Sequence, residues 1–299
     1  MIIQWFPGHM NKALKMMENE IKIVDAVIYV LDSRAPFSCV NPKFATLIDG
    51  KPIIYVFNKC DMADEEKVKE WQKWFKKENT VCLSTNSTTS GNCKDIISAI
   101  KSLNKAKLEK YEKKGVKVIL RAMVVGVPNS GKSTLVNNLV GKAKTMTGNK
   151  PGVTRAKQWV RINPYLEILD TPGTLWPAFD NNQVAHHLAY IGSISENVVD
   201  IPELSLDFIG DMRRLDENIL EKRYLINIDD EMTNLEVLES ICVAKKCILK
   251  GNDIDYDRGA YMLINDFKAG KLGNITLESV QDIKKLTLKD RKKLGEQNA

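Results

Sequence analysis

The chain has 299 residues, of which 43% are hydrophobic and 27% charged, and a formal net charge of +6. Its length suits about two domains, and no apolar run is long enough to span a membrane. The positive charge favours a polyanionic partner. The six cysteines form no C-x-x-C pair and have no companion histidine cluster, which disfavours a zinc site and a disulfide framework. The N-terminus does not have the pattern of a targeting segment. We therefore expect a cytoplasmic protein with free thiols and no membrane partner.

The N-terminal segment reads W-F-P-G-H-M at residues 5–10, which places His9 directly after a Pro-Gly turn. Taken alone, this histidine only follows the turn. A helix of mixed polarity is predicted next, and the apolar run at residues 24–31 predicts a buried strand that ends at Asp32.

A second strand, predicted at residues 52–57, leads into N-K-C-D at residues 58–61. Guanine offers two donors, N1–H and the 2-amino group, which the carboxylate of Asp61 can accept. The amide of Asn58 can serve the other edge of the base, and the stem of Lys59 can lie over the ring and brace a phosphate-binding loop. Such a site rejects adenine, because the buried carboxylate would be left unpaired. Without a phosphate site in the same chain, the motif is only a polar turn.

A short strand at residues 80–83 ends at Ser84, Thr85 and Asn86, where a backbone N–H could contact the guanine O6. A helix is predicted from Asn92 to about Lys114. Its end is rich in lysine, for which the simplest interpretation is a solvated connector.

Residues 126–134 read G-V-P-N-S-G-K-S-T and fit the phosphate-binding pattern G-x-x-x-x-G-K-[ST]. A predicted strand precedes the motif and a predicted helix follows it, which favours function over a chance Gly-rich turn. In this pattern Lys132 reaches the β- and γ-phosphates, and the Ser133 hydroxyl binds Mg²⁺. The predicted nucleotide-binding residues here are Asn129, Ser130, Gly131, Lys132, Ser133 and Thr134.

A Thr-, Lys- and Gly-rich stretch leads to P-G-V-T at residues 151–154, and a hairpin about Asn163-Pro164 then delivers D-T-P-G at residues 170–173. Asp170 can hold Mg²⁺ through a water molecule, and the Gly173 N–H can sense a γ-phosphate. Thr154 is the hydroxyl that would close on Mg²⁺ only when that phosphate is present.

Strand patterns end near Trp176, and successive helices are predicted at residues 204–220, 234–249 and 257–268. We therefore predict two domains, residues 1–177 and residues 178–299. Three basic clusters at residues 268–271, 284–285 and 291–293 favour RNA contact over a solvated face. His186 and His187 have no metal-ligand partner and are interpreted as structural.

Together the motifs resemble those of the Ras-like GTPases in a rotated order, because N-K-C-D and S-T-N precede the phosphate loop and D-T-P-G. With W-F-P-G-H-M and the later D-F-K-A-G-K-L-G-N-I-T-L-E, the chain resembles the family of the bacterial ribosome biogenesis GTPase A (YlqF) over nearly its whole length. The resemblance implies an α/β fold: a circularly permuted P-loop GTPase domain, with a mostly parallel sheet flanked by helices, and a C-terminal all-α domain.

The resemblance further implies a GTP-hydrolysing switch that assists assembly of the large (50S) ribosomal subunit. Such a switch binds rRNA or pre-ribosomes in the GTP form and uses Mg²⁺. Its hydrolysis is stimulated by the pre-ribosome and releases it, and off the ribosome it is a monomer. The implied catalytic residues are His9, Lys132, Thr154 and Gly173. Asn129 matches an asparagine that helps bind K⁺ beside the phosphates in related GTPases.

Thr174 departs from the family, which has an apolar residue where Ras-like enzymes have a glutamine that orients water. The family resemblance assigns that task to His9. Because D-T-P-G is followed closely by the helical domain, we expect GTP and GDP to set different domain orientations or to order different loops. One alternative is a non-catalytic GTP-dependent RNA-binding scaffold. Another, an ATPase or kinase, is disfavoured by Asn58 and Asp61.

Overall fold

The computed structural model describes residues 3, 5–89, 91, 93–141, 158–177, 179, 181–216 and 218–283. Within that part of the chain, six strands form one sheet in the order β3-β2-β1-β4-β6-β5, and only the β5–β6 pair is antiparallel. The strands are β1 (Ala26–Asp32), β2 (Ile53–Asn58), β3 (Thr80–Thr85), β4 (Leu120–Val125), β5 (Gln158–Asn163) and β6 (Leu166–Asp170). The mostly parallel sheet and the hairpin are confirmed.

Helices cover both faces of the sheet, and the named elements after β6 are all helices in the part of the chain that the structure describes. They are α1 (Gly8–Glu20), α2 (Pro42–Leu47), α3 (Glu65–Phe75), α4 (Lys94–Leu103), α5 (Lys105–Glu112), α6 (Lys132–Val140), α7 (Asn182–Tyr190), α8 (Ile201–Leu215), α9 (Asn218–Tyr224), α10 (Asn234–Ala244) and α11 (Tyr256–Lys268). None of the described helices is both long and apolar enough to cross a membrane.

The central strand β1 is buried along its whole length, as expected for a parallel strand covered on both faces. Alternate residues enter two different cores. Tyr29 lies in a core shared with α1, α3 and the later helices, where Phe208 and Phe267 also pack. Ile28 lies in the opposite core, against α4 and α6. The first core continues past residue 177, and the division of the chain there stays a prediction.

Strand register places the nucleotide motifs side by side. Asp32 pairs with Asn58, Asn58 pairs with Thr85, and Val124 pairs with Asp170. Because these strands are parallel, their carboxyl ends meet at one edge of the sheet, where ligands bind in open α/β sheets.

Three predicted elements differ in extent. The helix predicted from Asn92 to Lys114 is divided at Asn104, whose side chain donates to the Ile100 carbonyl (2.9 Å) between α4 and α5. The helix predicted at residues 204–220 is two helices, α8 and α9, and the one predicted at residues 234–249 ends at Ala244.

Candidate nucleotide-binding site

The phosphate loop connects β4 to α6, and two of its glycines are required by their surroundings. Gly126 has a φ of +148°, and an added Cβ would lie 2.4 Å from the Val30 carbonyl oxygen. Gly131 has a φ of +96°, and its Cβ would lie 2.1 Å from Asn58 Nδ2. A side chain at either position would therefore push the loop away from β1 or from the N-K-C-D motif.

Lys132 begins α6 and is 6% exposed. Its Nζ donates to the Val127 carbonyl oxygen at 2.7 Å. Burial lowers the pKa of Lys132 to about 8, although Asp170 favours the charged form. A buried cation with so little neutralisation would gain from the negative charge of a phosphate group.

The two predicted Mg²⁺ ligands are in direct contact, since Ser133 Oγ donates to Asp170 Oδ2 at 2.7 Å. The other carboxylate oxygen, Oδ1 of Asp170, is buried and has no hydrogen-bond partner among the described residues. Burial raises the pKa of this carboxyl group. A hydroxyl and an incompletely paired carboxylate are oxygen ligands that fit Mg²⁺.

Lys59 makes the predicted brace to the phosphate loop. It has a left-handed backbone with a φ of +59°. Its Nζ donates to the Asn129 carbonyl oxygen at 2.9 Å and to Asp32 Oδ2 at 2.7 Å. Its position therefore depends on two neighbouring strand ends.

Asn58 connects two loops through its side-chain amide, and the contact expected between this amide and the base stays a prediction. Its Nδ2 donates to the Ser130 carbonyl oxygen at 2.7 Å. Its Oδ1 accepts from the backbone N–H of Ser87 at 3.0 Å and from the Ser87 hydroxyl at 2.8 Å. The in-register pairing of β2 with β3 brings Ser87 to this amide, and the sequence pattern did not single out that residue.

Asp61 is exposed and forms no hydrogen bond or ion pair through its side chain with the residues that the structure describes. Side chains at the end of β3 and just after it are engaged within the protein: Ser84 Oγ accepts from Gln72, and Asn86 Oδ1 accepts from the Thr88 N–H at 2.9 Å. The buried Thr85 hydroxyl lies 3.7 Å from Cys93 Sγ. A contact between the backbone of this segment and the guanine O6 stays a prediction.

The D-T-P-G segment lies directly on the phosphate loop. A Cβ on Gly173 would be 2.6 Å from the Pro128 Cα and 2.9 Å from Lys132 Nζ. The next residue, Thr174, donates its backbone N–H to the Gly126 carbonyl oxygen at 3.3 Å. Gly173 thus lies against the phosphate loop and Lys132, and its role as a γ-phosphate sensor stays a prediction. Thr134 is half-buried in the first turn of α6.

Thr174 is fully buried, and its Oγ1 has no hydrogen-bond partner within the described part of the chain. A hydroxyl that is fully buried is not placed to orient a water molecule at the phosphates. We therefore expect that this residue does not replace the glutamine of Ras-like enzymes.

We expect Thr174→Val to leave GTP hydrolysis unchanged, and to leave the free energy of unfolding unchanged or raise it by up to about 1 kcal/mol, because it removes an unpaired buried hydroxyl. Urea denaturation and a turnover assay measure both quantities. The control is Thr171→Val, which removes a buried hydroxyl that donates to the Val124 carbonyl oxygen at 2.6 Å and should cost about 1 kcal/mol. A tenfold loss of turnover in Thr174→Val would contradict the interpretation.

His9 is exposed at the start of α1, beside the segment that follows D-T-P-G. The next residue, Met10, is fully buried, and its Sδ accepts from the Leu175 N–H at 3.4 Å. Asn41 Nδ2 donates to the Leu175 carbonyl oxygen at 3.2 Å. The start of α1 is thereby anchored next to Gly173, with the histidine left accessible.

The phosphate loop also contacts the turn after α7, a connection that the sequence did not predict. Asn129, with a φ of +57°, donates its Nδ2 to the Gly192 carbonyl oxygen at 2.6 Å. Ser193 Oγ donates to the Pro128 carbonyl oxygen at 2.7 Å. Since Nδ2 is used in this way, Oδ1 is the atom of the Asn129 amide that has lone pairs suited to a cation.

A buried ion pair links the same site to α11. Arg34 Nε and Nη2 donate to the two carboxylate oxygens of Asp32, at 2.9 and 2.8 Å, and Nη1 donates to the carbonyls of Phe267 (3.0 Å) and Lys268 (3.2 Å). Burial alone would raise the pKa of Asp32, but Arg34 and Lys59 hold it well below its usual range. A continuous path of contacts thus joins α11, Arg34, Asp32, Lys59 and the phosphate loop.

His187, predicted to be structural, is buried and lies 2.9 Å through Nδ1 from Glu278 Oε1. Ser38 Oγ bonds the same carboxylate oxygen and lies 3.4 Å from the same ring nitrogen. A hydrolytic triad would place serine and carboxylate on opposite ring nitrogens, so this group is not one. The described residues contain no cluster of three His, Cys, Asp or Glu suited to a metal. Thr154 and the basic clusters at 284–285 and 291–293 lie outside the described residues.

Comparison with known proteins agrees with this geometry. The family model of the 50S ribosome-binding GTPase matches residues 121–238. Ribosome biogenesis GTPase A of Bacillus cereus is 37% identical over 96% of this chain and 99% of its own length. The protein of the same name from Thermotoga maritima is 28% identical over 94% of this chain and 96% of its own.

Among solved structures, GNP-bound YlqF from T. maritima has a TM-score of 0.59 and 25% identity, covering 90% of this chain and 98% of that one. GDP-bound YlqF has a TM-score of 0.60, also at 25% identity, covering 89% and 99%. Three observations lead to one conclusion: the permuted order of the motifs, their meeting at one edge of the sheet, and the alignment of nearly the whole chain with these relatives. The chain belongs to the family of the ribosome biogenesis GTPase A proteins.

Proposed function

We propose that the protein is a GTPase switch that acts in assembly of the large ribosomal subunit, binding pre-ribosomes with GTP and leaving after hydrolysis to GDP and phosphate. The observation that carries the proposal is the contact of Ser133 with Asp170 beside a buried Lys132, at the same edge of the sheet as the accessible Asp61. The ribosomal part is supported by the names of the relatives.

In this proposal Asp61 accepts from the guanine donors, and Lys59 lies along the base while it holds the phosphate loop. Lys132 neutralises the β- and γ-phosphates, and the Gly173 N–H contacts the γ-phosphate. Ser133 and Asp170, with Thr154, would hold Mg²⁺, which neutralises charge that develops on the phosphate oxygens.

The exposed His9 is proposed to orient the attacking water, because Thr174 is buried. Asn129 Oδ1 would bind K⁺ beside the phosphates, where a fixed cation stabilises the developing charge. K⁺ would therefore supply the positive charge that some GTPases receive from an arginine of another protein.

The contacts between the phosphate loop and the later helices give the switch its physical basis. Asn129 and Pro128 bond to Gly192 and Ser193, while Asn41 bonds to the residue pair after Gly173. A ligand that moves the loop or Gly173 must change these contacts. GTP and GDP can then favour different arrangements, to the extent that their affinities for the two arrangements differ.

Sedimentation with purified large subunits tests the proposal. We expect the protein to co-sediment at least about tenfold more tightly with a non-hydrolysable GTP analogue than with GDP, which corresponds to about 1.4 kcal/mol of coupling. An excess of ATP should not replace the analogue. Equal binding in both nucleotide states would contradict the switch, and tighter binding with the analogue but no turnover would favour the non-catalytic GTP-dependent scaffold.

A further inference from the structure

The lysine connector, residues 101–118, carries most of the excess positive charge of the protein. It contains seven lysines and two glutamates, a net charge of +5 in a chain whose total is +6. Its helix α5 has no buried residue, and residues 109–117 are all exposed. A helix that packs so little in the fold is open to a partner.

Most of these lysines lack a counter-charge. Lys107 pairs with Asp25, and Lys105 lies 3.8 Å from the exposed Glu109. The other five form no ion pair with the residues that the structure describes. They are Lys101, Lys110, Lys113, Lys114 and Lys117.

A cavity of about 420 Å³ lies beside the lysine connector. Its walls are mainly apolar, with Ile100 and Leu108 on one side and the strand starts Leu120 and Leu166 on the other. Tyr165, which is 50% exposed, also lines it. An apolar cavity of this size suits a flat organic group.

The charge at the mouth of the cavity shows which kind of group would suit it. Lys101 and Lys117 line the cavity together with one acid, Glu112. Val116 is 50% exposed and Tyr111 is 36% exposed beside it. Apolar walls with cations at the rim match a ligand that joins an aromatic ring to an anion, which is the chemistry of a nucleotide.

We propose that the lysine connector binds single-stranded RNA, with one unpaired base in the cavity against Tyr165 and the adjacent phosphates on the lysines. A free mononucleotide would need only Lys101 and Lys117. The unpaired lysines continue along α5, which is about 12 Å long, so they match the successive phosphates of a polymer. This inference rests on the proposed function for the source of the RNA.

The site lies at the edge of the sheet opposite the phosphate loop, because β4 and β6 begin at Leu120 and Leu166 and end at the nucleotide motifs. RNA in this site would leave the guanine nucleotide in place. It would be a contact separate from the basic clusters at the C-terminal end of the chain.

Fluorescence anisotropy of the full chain with a labelled single-stranded RNA of about 12 nucleotides tests the inference. The variant is the triple charge reversal Lys110→Glu, Lys113→Glu and Lys114→Glu. Its matched control is Lys73→Glu, Lys76→Glu and Lys77→Glu, which makes the same charge change at exposed residues at the end of α3. The titration is repeated at several KCl concentrations.

We expect the connector variant to lose at least about tenfold in affinity and to lower the salt slope of log K by about 2, since each phosphate contact on a single strand contributes about 0.7. The control should stay within threefold of the wild type. Tyr165→Ala should lose about tenfold with an unchanged salt slope, and Tyr165→Phe should keep the affinity. Basal GTP hydrolysis should be the same in all variants.

Equal affinity in the connector variant and its control would overturn the inference, as would equally tight binding of a duplex, which has no unpaired base. The inference would also be overturned if the connector variant bound an acidic peptide more weakly than the wild type does but bound RNA equally well. If the wild type binds neither RNA nor large subunits, the proposed function itself fails. If the wild type binds both and the connector variant behaves like its control, only the connector site is wrong.

Discussion

Replacing Lys132 with methionine is expected to abolish tight GTP binding and at the same time to stabilise the nucleotide-free protein. The lysine is 6% exposed, and its described hydrogen bond is to the Val127 carbonyl oxygen. That carbonyl keeps a bond from the Ser130 hydroxyl (3.0 Å) when the lysine is removed. Methionine fills similar space without a charge, so the desolvation cost disappears.

The pH dependence of stability gives the sign and an upper limit of this effect. Burial lowers the pKa of Lys132 from 10.5 to about 8. Between those values the unfolded chain binds more protons than the folded one, so stability rises with pH across that window. Below pH 8 the full cost is present, at most about 3.5 kcal/mol if each pKa unit is worth about 1.4 kcal/mol.

Urea unfolding at pH 7 and at pH 9.5, with and without GTP, measures the prediction. Lys132→Met should be more stable than the wild type by about 1–3 kcal/mol at pH 7, and the difference should shrink at pH 9.5. Added GTP should stabilise only the wild type. Lys73→Met, at an exposed lysine, should change neither the free energy of unfolding nor the stabilisation by GTP. A nucleotide-free Lys132→Met protein less stable than the wild type at pH 7 would contradict the prediction.

Breaking the Asp32–Arg34 pair should produce the largest loss of stability. Arg34→Met leaves Asp32 buried with Lys59 as its remaining cation, and it removes the Arg34 donor from the Phe267 and Lys268 carbonyls, of which the first keeps the Gly270 N–H at 3.0 Å. Removal of one partner from a buried pair costs about 3–5 kcal/mol. Guanine nucleotide affinity should also fall, because Lys59 is positioned by the same carboxylate.

A double-mutant cycle separates the pair from its surroundings. Asp32→Asn, Arg34→Met and the double variant should show an interaction energy of at least about 1.5 kcal/mol. The carboxylate contribution is present above its ordinary pKa of 3.8 and is lost as the pH falls toward its depressed value. Arg161→Met, at an exposed arginine of β5, should stay within about 0.5 kcal/mol of the wild type. Additive losses in the cycle would show that the two side chains act independently.

The sequence was sufficient to predict that the nucleotide motifs meet at one edge of the sheet. Each motif follows an apolar run of strand length, and parallel strands bring their carboxyl ends to one edge. The contacts of Lys59 with the phosphate loop and of Ser133 with Asp170 follow from that placement, because the chemistry of each motif requires its neighbour.

The contacts that join the site to the later helices could not be predicted in the same way. Arg34 bonds to α11 more than two hundred residues away along the chain, and Asn129 bonds to the turn after α7. The interacting groups on the helix side are backbone carbonyls, which every residue has, so no residue type at those positions predicts the contact. Asn104 likewise divides a predicted helix through a bond that depends on local backbone geometry.

Hydrolysis of GTP in K⁺ buffer, with and without purified large ribosomal subunits, tests the proposed switch most directly when wild type, His9→Ala and the neighbouring exposed Lys12→Ala are compared. We expect subunits to accelerate the wild type and Lys12→Ala strongly. His9→Ala should bind GTP normally and lose that acceleration by about a hundredfold, the usual scale for a residue that assists proton transfer or positions water. If subunits fail to accelerate the wild type, the role assigned to the ribosome is wrong. If His9→Ala is stimulated as strongly as Lys12→Ala, the role assigned to His9 is wrong.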